Sequence, residues 1–481
     1  MFDLRPVGYV TGLLVAALGA AMLVPMLVDL YYGNDHWPVF LESAILTSVI
    51  GGLAALACAN GVKARLTIQQ TFLLTTGVWL MLPVFGAIPF VLGVPHARVV
   101  DAFFEAMSGL TTTGSTVFTG LETLPQGVLI WRSMLQWFGG VGIIVVAMVF
   151  LPELRVGGMQ IFRTESFDTD GKVLPRAAQI ASRISGAYFI LTIACYIAYF
   201  AVGMPSFDAI NHALTTVATG GFSTYDASFG AFQGNAEYVA AVFMALASLP
   251  FVRYVQLMAG STRPLLRDAQ VRGFFATIAV LIAIVVFYQI AQGIDAEIAL
   301  RETVFNVTSI LTGTGYTSTD YQLWGHFIVV LFFFIGLVGG CAGSTSCSIK
   351  IFRYQLLFAS IKAQIGKIHS PHGIFTPRYD GRPVSEDVLS SVMVFFVAFV
   401  VSLGVLSVLL GATGLDLVTS VSGAAAALAN IGPGLGPEIG PTGNFSGLSD
   451  TAKWLLSGGM LIGRLELMAV FAIMTSNFWR V

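Results

Sequence analysis

Charged residues are scarce in this sequence. Only 10% of its 481 residues are Asp, Glu, Lys or Arg, while 56% are hydrophobic, and soluble domains usually carry about 25% charged residues. The net charge of −2 does not indicate a nucleic-acid partner. The composition therefore excludes an ordinary soluble domain and predicts an all-α polytopic membrane protein surrounded by lipid.

Cysteine, histidine and the motifs of common enzymes are also scarce. The four cysteines form no CxxC pair and only six histidines are present, which favours neither a disulfide framework nor a metal cluster. The sequence contains no HExxH, no GxSxG and no glycine-rich stretch followed by Gly-Lys-Ser/Thr, the motifs of zinc proteases, serine hydrolases and phosphate-binding loops. We therefore expect no enzyme activity and no organic cofactor in this chain.

Apolar stretches of two lengths dominate what is present. Ten are long enough for membrane spans of about 20 residues, and the first is too long for a signal peptide. Four shorter stretches have the length of re-entrant or buried helices. The long stretches lie near 8–30, 39–59, 68–92, 126–151, 180–203, 236–260, 272–292, 322–358, 386–411 and 452–477. The short ones lie near 100–111, 206–217, 298–311 and 415–428.

Each short stretch leads into a segment in which a glycine follows small or hydroxyl residues. We call these the glycine segments, and they are Thr111–Ser115, Ala218–Phe222, Gly313–Thr317 and Ala429–Pro433. Glycine permits backbone conformations that other residues resist. One such segment alone would be an ordinary turn. Four at the same place in successive units favour a ring whose carbonyl oxygens replace the water around a dehydrated K+ ion.

The order of these stretches predicts two N-terminal helices and then four units of helix, pore helix, filter and helix, arranged with pseudo-fourfold symmetry. The predicted divisions are 1–66 for the two helices and 67–155, 156–263, 264–370 and 371–481 for the units.

Acidic residues are predicted to open the pore helices. Asp101, Asp208 and Glu302 begin the first three, while either Asp416 or Thr419 caps the fourth. An acid at a helix N-terminus complements the helix dipole, and the negative C-terminal end then favours a cation at the glycine segment.

Most Lys and Arg residues fall in the loops on one side of the predicted spans. The positive-inside rule places those loops in the cytoplasm. Both termini are therefore expected to be cytoplasmic, and all four glycine segments are expected near the outer side.

Three stretches besides the glycine segments carry a resemblance to a known family. They run from Trp131 to Ile143, from Gly157 to Glu165 and from Gly339 to Thr345. With them, the whole chain resembles the TrkH subunits of bacterial Trk potassium-uptake systems, in the Trk/Ktr/HKT superfamily. The resemblance implies a gated, K+-selective pore in the bacterial inner membrane and a homodimer with one pore per protomer. It also implies a TrkA-like cytosolic ring that binds ATP/ADP and NAD(H), docking on the loops 152–179 and 359–385.

The resemblance makes backbone carbonyls of the glycine segments the expected ligands of K+. In plant relatives a serine at the first filter glycine goes with Na+ transport, so Gly114 implies K+. The expected ligands are Thr112, Thr113, Gly114, Ala218, Thr219, Gly220, Gly313, Thr314, Gly315, Asn430, Ile431 and Gly432.

Glycines and hydroxyl residues interrupt the eighth long stretch. Such density disfavours a continuous helix, and irregular backbone inside a membrane must be buried in protein or line a cavity. The resemblance implies a movable gate beneath the filter, and close helix packing through small residues is the alternative. The residues concerned are Gly339, Gly340, Gly343, Ser344, Thr345 and Ser346.

Arg464 lies inside the last long stretch. A charge there costs several kcal/mol, so it is expected to face a cavity or a partner. The resemblance implies a pore-facing arginine below the filter that slows ions, and an ion pair with another helix is the alternative. Glu466 is predicted to point elsewhere, because residues two apart on a helix do not share a face.

A K+ symporter coupled to H+ or Na+ is a second possible function. Coupled transporters use membrane carboxylates as proton relays. Here the candidate carboxylates are scattered, and most lie near the ends of predicted helices, which disfavours coupling without excluding it. They are Glu42, Glu105, Asp208, Glu302 and Glu466.

Overall fold

The computed structural model describes residues 3–61, 66–149, 158–159 and 173–479. The family-like stretch 157–165 and the loop 152–179 therefore lie largely outside the described residues. Helices form nearly all of the regular structure in the described ranges. They are α1 Arg5–Ala21, α2 Leu23–Tyr32, α3 Trp37–Cys58, α4 Ile68–Gly86, α5 Ile88–Leu92, α6 Val99–Leu110, α7 Gln126–Val149, α8 Val173–Ala201, α9 Ser206–Val217, α10 Asn235–Ala247, α11 Phe251–Met258, α12 Arg263–Arg267, α13 Ala269–Ala291, α14 Ala296–Thr312, α15 His326–Gly336, α16 Ile351–His369, α17 Glu386–Gly411, α18 Leu417–Ala429, α19 Asp450–Arg464 and α20 Met468–Met474.

Two pairs of very short strands accompany the helices. Strand β1 (Val338–Gly339) pairs in parallel with β2 (Ile349–Lys350), which closes the segment between α15 and α16 into a loop. Strand β3 (Arg378–Tyr379) pairs antiparallel with β4 (Arg382–Pro383).

Seven helical segments of the described chain are long and apolar enough to cross a membrane, and two sharply bent helix pairs raise the number to nine. Three of the ten predicted spans are therefore not continuous helices. The stretch 236–260 bends by 91° between α10 and α11, and 452–477 bends by 110° between α19 and α20. The stretch 322–358 is split into α15 and α16 around an irregular segment.

Local backbone chemistry accounts for the two bends. Pro250 precedes α11, and proline cannot donate the hydrogen bond that would continue α10. At the other bend Glu466 and Leu467 have φ of 59° and 45°. Such left-handed values are rare outside glycine and end a helix.

The four predicted short helices are present as α6, α9, α14 and α18, and most of their residues are buried. Asp101 and Asp208 lie in the first turns of α6 and α9, as expected. The prediction that Glu302 opens the third short helix was wrong. That helix begins at Ala296 and is capped by Asp295, whose carboxylate accepts the N–H of Glu297 at 2.9 Å.

The fourth short helix is capped by Asp416, one of the two predicted candidates. Its carboxylate accepts the N–H groups of Val418 and Thr419 at 2.9 and 3.2 Å. This satisfies two of the backbone donors that every helix N-terminus leaves unpaired.

The two N-terminal helical segments pack through small residues and join the first unit through a buried carboxylate. A Cβ on Gly51 in α3 would lie 2.4 Å from the backbone nitrogen of Ala16 in α1, so glycine allows the two helices to touch. Asp29, fully buried, accepts the N–H of Gly127 at 2.7 Å and lies 3.1 Å from His36 Nδ1. These contacts fix the N-terminal pair against the start of α7.

Candidate functional site

The same turn ends the short helices and begins each glycine segment. The N–H groups of Thr112, Thr219, Gly313 and Asn430 bond to the carbonyl three residues back, and all four residues have positive φ. In three segments the next N–H bonds to the carbonyl five residues back, at 2.8–2.9 Å. This is the Schellman arrangement, which closes a helix with one left-handed residue. The residues that make this second bond are Thr113, Gly220 and Ile431.

Alignment on this turn changes the register of the second glycine segment by one residue. Two positions after the left-handed residue stands a glycine in every segment: Gly114, Gly221, Gly315 and Gly432. The sequence analysis instead grouped Gly220 with the other three glycines as expected ligands. Two consecutive glycines leave the register ambiguous in the sequence, whereas the hydrogen bonds of the turn resolve it. By the same count Ala218 corresponds to Thr111.

The four glycine segments close a ring in chain order. A Cβ on Gly114 would lie 2.2 Å from the carbonyl oxygen of Gly220, and one on Gly221 would lie 2.0 Å from that of Thr314. A Cβ on Gly315 would meet the nitrogen of Gly432 at 2.7 Å, and one on Gly432 would meet Gly114 at 3.1 Å. A side chain would clash with backbone at Gly114, Gly221 and Gly315 and would be tight at Gly432, so the segments meet through their backbones.

A cavity of about 190 Å³ opens on one side of this ring. The four glycines aligned by the turn all contribute to its lining, together with hydroxyl side chains such as Ser115 and Thr317. Gly220 is not among the lining residues, which agrees with the alignment on the turn. The cavity is large enough for several water molecules next to the ring.

Side chains behind the ring hold individual segments in place. Gln136 on α7 donates to the carbonyl of Gly220 at 2.6 Å and accepts the N–H of Phe222 at 3.0 Å. Asn430 donates to the hydroxyl of Thr113 at 3.0 Å, and Ser115 donates to the carbonyl of Gly432 at 2.8 Å. The first, second and fourth segments are thus fixed by neutral hydrogen bonds.

A buried ion pair ties the first two segments together. Arg132 on α7 donates to Glu105 at 2.8 Å and to the carbonyl of Ser223 at 2.9 Å, and both charged side chains are at most 1% exposed. Glu105 also accepts the N–H of Val117 at 2.9 Å. One of the scattered carboxylates is therefore fully engaged in holding the ring.

The segment 337–350, which we call the base loop, lies against the ends of the short helices. Ser346 donates to the carbonyl of Thr312 at 2.6 Å, and the N–H of Ser348 donates to that of Ala429 at 3.0 Å. Because these carbonyls end α14 and α18, the base loop covers the C-terminal ends of the third and fourth short helices. Of the residues predicted for the gate, all but one lie in this loop, and these are buried: Gly339, Gly340, Gly343, Ser344, Thr345 and Ser346. The remaining one, Arg464, lies on α19 and is buried there.

The base loop also fills the break between α10 and α11. The N–H of Cys341 donates to Ser248 at 3.0 Å, and the N–H of Phe251 donates to Gly343 at 2.9 Å. The hydroxyl of Thr345 donates to Ala247 at 3.0 Å. The backbone groups that the helix break leaves unpaired are thus satisfied by the loop, so the loop and the bend form one structural unit.

Arg464 ends α19 next to this loop and is 3% exposed. Its guanidinium lies 2.7 Å from the sulfur of Cys347 and donates to the carbonyl of Gly139 at 3.1 Å. No carboxylate among the described residues forms an ion pair with it. The arrangement places a positive charge at the base of the ring.

Sequence reasoning missed two charged residues near Arg464, Lys350 and Arg353, and placed a third, Glu466, on a continuous helix. Lys350 is buried and donates to the carbonyl of Ser346. Arg353 pairs with Glu466 and lies 3.8 Å from the ring centroid of Phe395. Glu466 was predicted to point elsewhere on a continuous helix, but α19 ends at Arg464. Lys350 and Arg353 directly follow the hydroxyl-rich stretch, and their position there was the available signal.

Comparisons with known proteins agree over nearly the whole chain. Residues 36–479 match the model of the TrkH family, described as a cation transport protein. The Trk system potassium uptake protein TrkI of Halomonas elongata is 40% identical over 99% of this chain and 97% of its own length. TrkH of Escherichia coli K12 is 35% identical over 99% of each chain. The crystal structure of the potassium transporter TrkH from Vibrio parahaemolyticus superposes with a TM-score of 0.92 and 33% identity, covering 100% of both chains.

Proposed function

The chain belongs to the TrkH family of cation transport proteins, and from this premise we propose that it takes up potassium as part of a bacterial Trk system. It is a multi-pass membrane transporter rather than an enzyme, and K+ is its substrate. The finer assignments that follow concern the ion path, its gate, its partners and its energy source.

We propose that K+ passes through the ring of glycine segments. The ring supports this because its inner groups are backbone, and carbonyl oxygens can replace the hydration shell of K+. The common turn that places a glycine at the same position in four segments is the single observation that carries the proposal. The proposed ligands are those expected from the sequence, with Gly221 added as the counterpart of the other three glycines.

We propose that the base loop is the gate. It covers the C-terminal ends of two short helices, and Cys347 within it touches both the first and the third glycine segments. Its sulfur lies 3.5 Å from the hydroxyl of Thr112, and its Cβ would lie 3.3 Å from a Cβ built on Gly313. The first and third segments are opposite each other in a ring closed in chain order, so the loop crosses the base of the ring. Opening then requires this loop to move.

Membership of a Trk system implies further protein components. We propose a cytosolic TrkA-like ring that binds ATP/ADP and NAD(H), and a homodimer of this chain with both termini in the cytoplasm. The loop 359–385, of which the end of α16 is part, supplies a surface for such a partner: Ile365 and Ile368 are 61% and 75% exposed beside Lys367. The unit boundaries, including 155/156 outside the described residues, stay predictions.

Three of the five candidate carboxylates favour an uncoupled pore over a symporter. Glu105 and Glu466 are paired with Arg132 and Arg353, and Asp208 accepts the hydroxyl of Thr224 at 2.7 Å. A proton relay needs carboxylates that bind and release protons along a path. Engaged carboxylates that hold structure are poor candidates for such a relay.

The test is cation flux into liposomes that contain the purified protein. Uptake of K+, Rb+, Na+ and Li+ is compared first under an imposed membrane potential and then under a pH or Na+ gradient. Saturable K+ and Rb+ flux driven by voltage alone is the expected result. Flux that requires a proton or Na+ gradient would replace the pore with the symporter, and equal flux of all four cations would contradict the ring as a selective filter.

A further inference from the structure

The third glycine segment is held differently from the other three. Its turn is the one that lacks the second Schellman bond, and the N–H of Gly315 donates to the carbonyl of Ser309 at 3.2 Å. Tyr316, which is fully buried, comes directly after the glycine that the turn aligns. The third segment therefore carries a phenol hydroxyl at a position where the other segments have none. The residues at that position in the other segments are Ser115, Phe222 and Pro433.

The hydroxyl of Tyr316 bonds to the short helix of the neighbouring unit. It bonds to the hydroxyl of Thr215 on α9, and the hydroxyl of Thr216 lies 3.3 Å away. Thr215 donates its own proton to the carbonyl of Asn211 at 3.0 Å, because a carbonyl can only accept. Tyr316 is therefore the donor in its bond with Thr215.

Thr215 joins two glycine segments. Its carbonyl accepts the N–H of Gly220 at 2.9 Å, and its hydroxyl accepts the proton of Tyr316. The same two segments touch along the ring, since a Cβ on Gly221 would lie 2.0 Å from the carbonyl oxygen of Thr314. The bond between Tyr316 and Thr215 therefore fixes the carbonyl of Thr314, a proposed ligand, relative to the second segment.

Other contacts hold the ring and backbone of Tyr316 without using its hydroxyl. The ring centroid lies 4.8 Å from that of Phe229 and 5.9 Å from that of His212. Ser309 donates to the carbonyl of Tyr316 at 2.7 Å. A phenylalanine at this position would keep these contacts, so the hydroxyl can be removed alone.

We propose that Tyr316 is a positioning residue that sets the preference of the ring for K+ over Na+. Its bond to Thr215 holds the third segment at a fixed distance from the second. A ring of carbonyls discriminates between cations by the number and spacing of its oxygens. Without the hydroxyl, the third segment is free to approach the smaller Na+ ion, and discrimination falls. This inference rests on the proposed passage of K+ through the ring.

The experiment compares K+ and Na+ permeability of purified full-length variants in liposomes. Tyr316→Phe removes the donor, and Thr215→Val removes the acceptor while keeping the shape of the side chain and the carbonyl that binds Gly220. Tyr199→Phe is the matched control. Tyr199 is also fully buried and bonds to Thr216 at 2.7 Å, but it lies on α8 rather than in a glycine segment. Size-exclusion chromatography in detergent measures the folded protein.

The ratio of K+ to Na+ permeability should fall by about fivefold in Tyr316→Phe, which is the scale of one buried hydrogen bond. The ratio should also fall in Thr215→Val. The double variant should be no less selective than Tyr316→Phe alone, because both substitutions remove the same bond. Tyr199→Phe should keep the ratio of the wild type.

A wild-type ratio in folded Tyr316→Phe, an equal fall in Tyr199→Phe, or falls that multiply in the double variant would each overturn the proposal. So would a loss of folded protein, or of K+ and Na+ flux together, that leaves the ratio unchanged, because that is the result of a purely structural role. If Tyr316→Phe does not fold, Thr215→Val decides by the same criterion. A wild type without preference for K+ would instead contradict the proposed function, and this inference with it.

Discussion

The ring and its base differ in the buried charges that they contain. Around the ring, the contacts that fix the segments are backbone turns and neutral hydrogen bonds from Gln136, Asn430 and Ser115, with the one buried ion pair of Arg132 and Glu105 set behind them. At the base, Arg464 and Lys350 are buried without a carboxylate partner among the described residues. Under the proposed function, the backbone ring supplies the oxygen ligands of K+ and the positive base opposes cations. The proposal therefore assigns selection and restriction to different parts of the molecule.

The largest effect on K+ flux is expected from a substitution that distinguishes two neighbouring glycines, Gly220 and Gly221. Gly221→Ala should reduce K+ flux by about tenfold or more. Its φ is 78° and a Cβ would lie 2.0 Å from a backbone carbonyl, and left-handed backbone alone costs an L-residue about 1–2 kcal/mol. Gly220→Ala should have a smaller effect, because its counterparts Thr113 and Ile431 carry side chains. Potassium flux in liposomes measures both.

The control for this pair is the amount of folded protein, measured by size-exclusion chromatography in detergent. A Cβ on Gly220 would meet Gln136 at 2.4 Å, which is a side chain that can move. If Gly220→Ala is as inactive as Gly221→Ala while both remain folded, the alignment on the turn is wrong.

Gly114→Ser should shift the selectivity of the ring from K+ toward Na+. Gly114 has a φ of 87°, and a Cβ would lie 2.2 Å from the carbonyl of Gly220, so a side chain must displace a proposed ligand. The ratio of K+ to Na+ permeability measures the shift, which we expect to reach about one order of magnitude, or 1.4 kcal/mol.

The matched control is Gly404→Ser in α17, where an added Cβ would meet nothing within 4 Å. Its selectivity should equal that of the wild type. Unchanged selectivity in Gly114→Ser would count against the assignment of the filter.

More of the structure of the ring than of its base could be predicted from the sequence. Repetition of glycine after a short apolar stretch specifies both the unit and its turn, because few residues other than glycine adopt left-handed backbone. Three of the four left-handed positions are nevertheless Thr112, Thr219 and Asn430. At these positions the hydrogen bonds of the Schellman turn outweigh the preference of left-handed backbone for glycine. The positions of the glycines alone therefore do not give the register of the second segment, and the structure was needed to assign it.

The base depends on contacts between distant parts of the chain. The bend after Arg464 is set by two residues with positive φ, Glu466 and Leu467. Neither glutamate nor leucine is a residue type that predicts such a turn. The pairing of Glu466 with Arg353 joins α16 to that bend. A helical period carried through Arg464 and Glu466 therefore assigns Glu466 to the wrong surroundings.

Removal of the base loop should raise K+ flux more than any single substitution at the base. Deletion of residues 340–346 removes the covering of α14 but also the groups that fill the break between α10 and α11. A second variant, Ser346→Ala, therefore tests the same idea with less disruption. It removes the buried hydrogen bond that Ser346 donates to Thr312 and the one that it accepts from the N–H of Gly340 inside the loop. Only the first joins the loop to α14, and its loss, worth about 1 kcal/mol, should raise the open fraction by roughly fivefold.

Single-channel or liposome flux measurements on both variants test the loop. Ser407→Ala on α17 is the matched control, since its hydroxyl bonds only within its own helix, to Leu403. Flux that stays at the wild-type level in the folded deletion variant would refute the gate.

Arg464→Ala should give a smaller, severalfold increase in K+ flux. The variant removes a buried positive charge from the base of the ring, and repulsion between like charges is strong where water is excluded. Arg464→Lys keeps the charge while losing the contact with either Cys347 or Gly139, so its flux should stay close to that of the wild type. If both variants conduct equally well, the guanidinium acts by bonding the loop rather than by its charge. A folded but inactive Arg464→Ala would show that the residue supports the structure of the path instead of restricting it, and the separation between a selecting ring and a restricting base would fail.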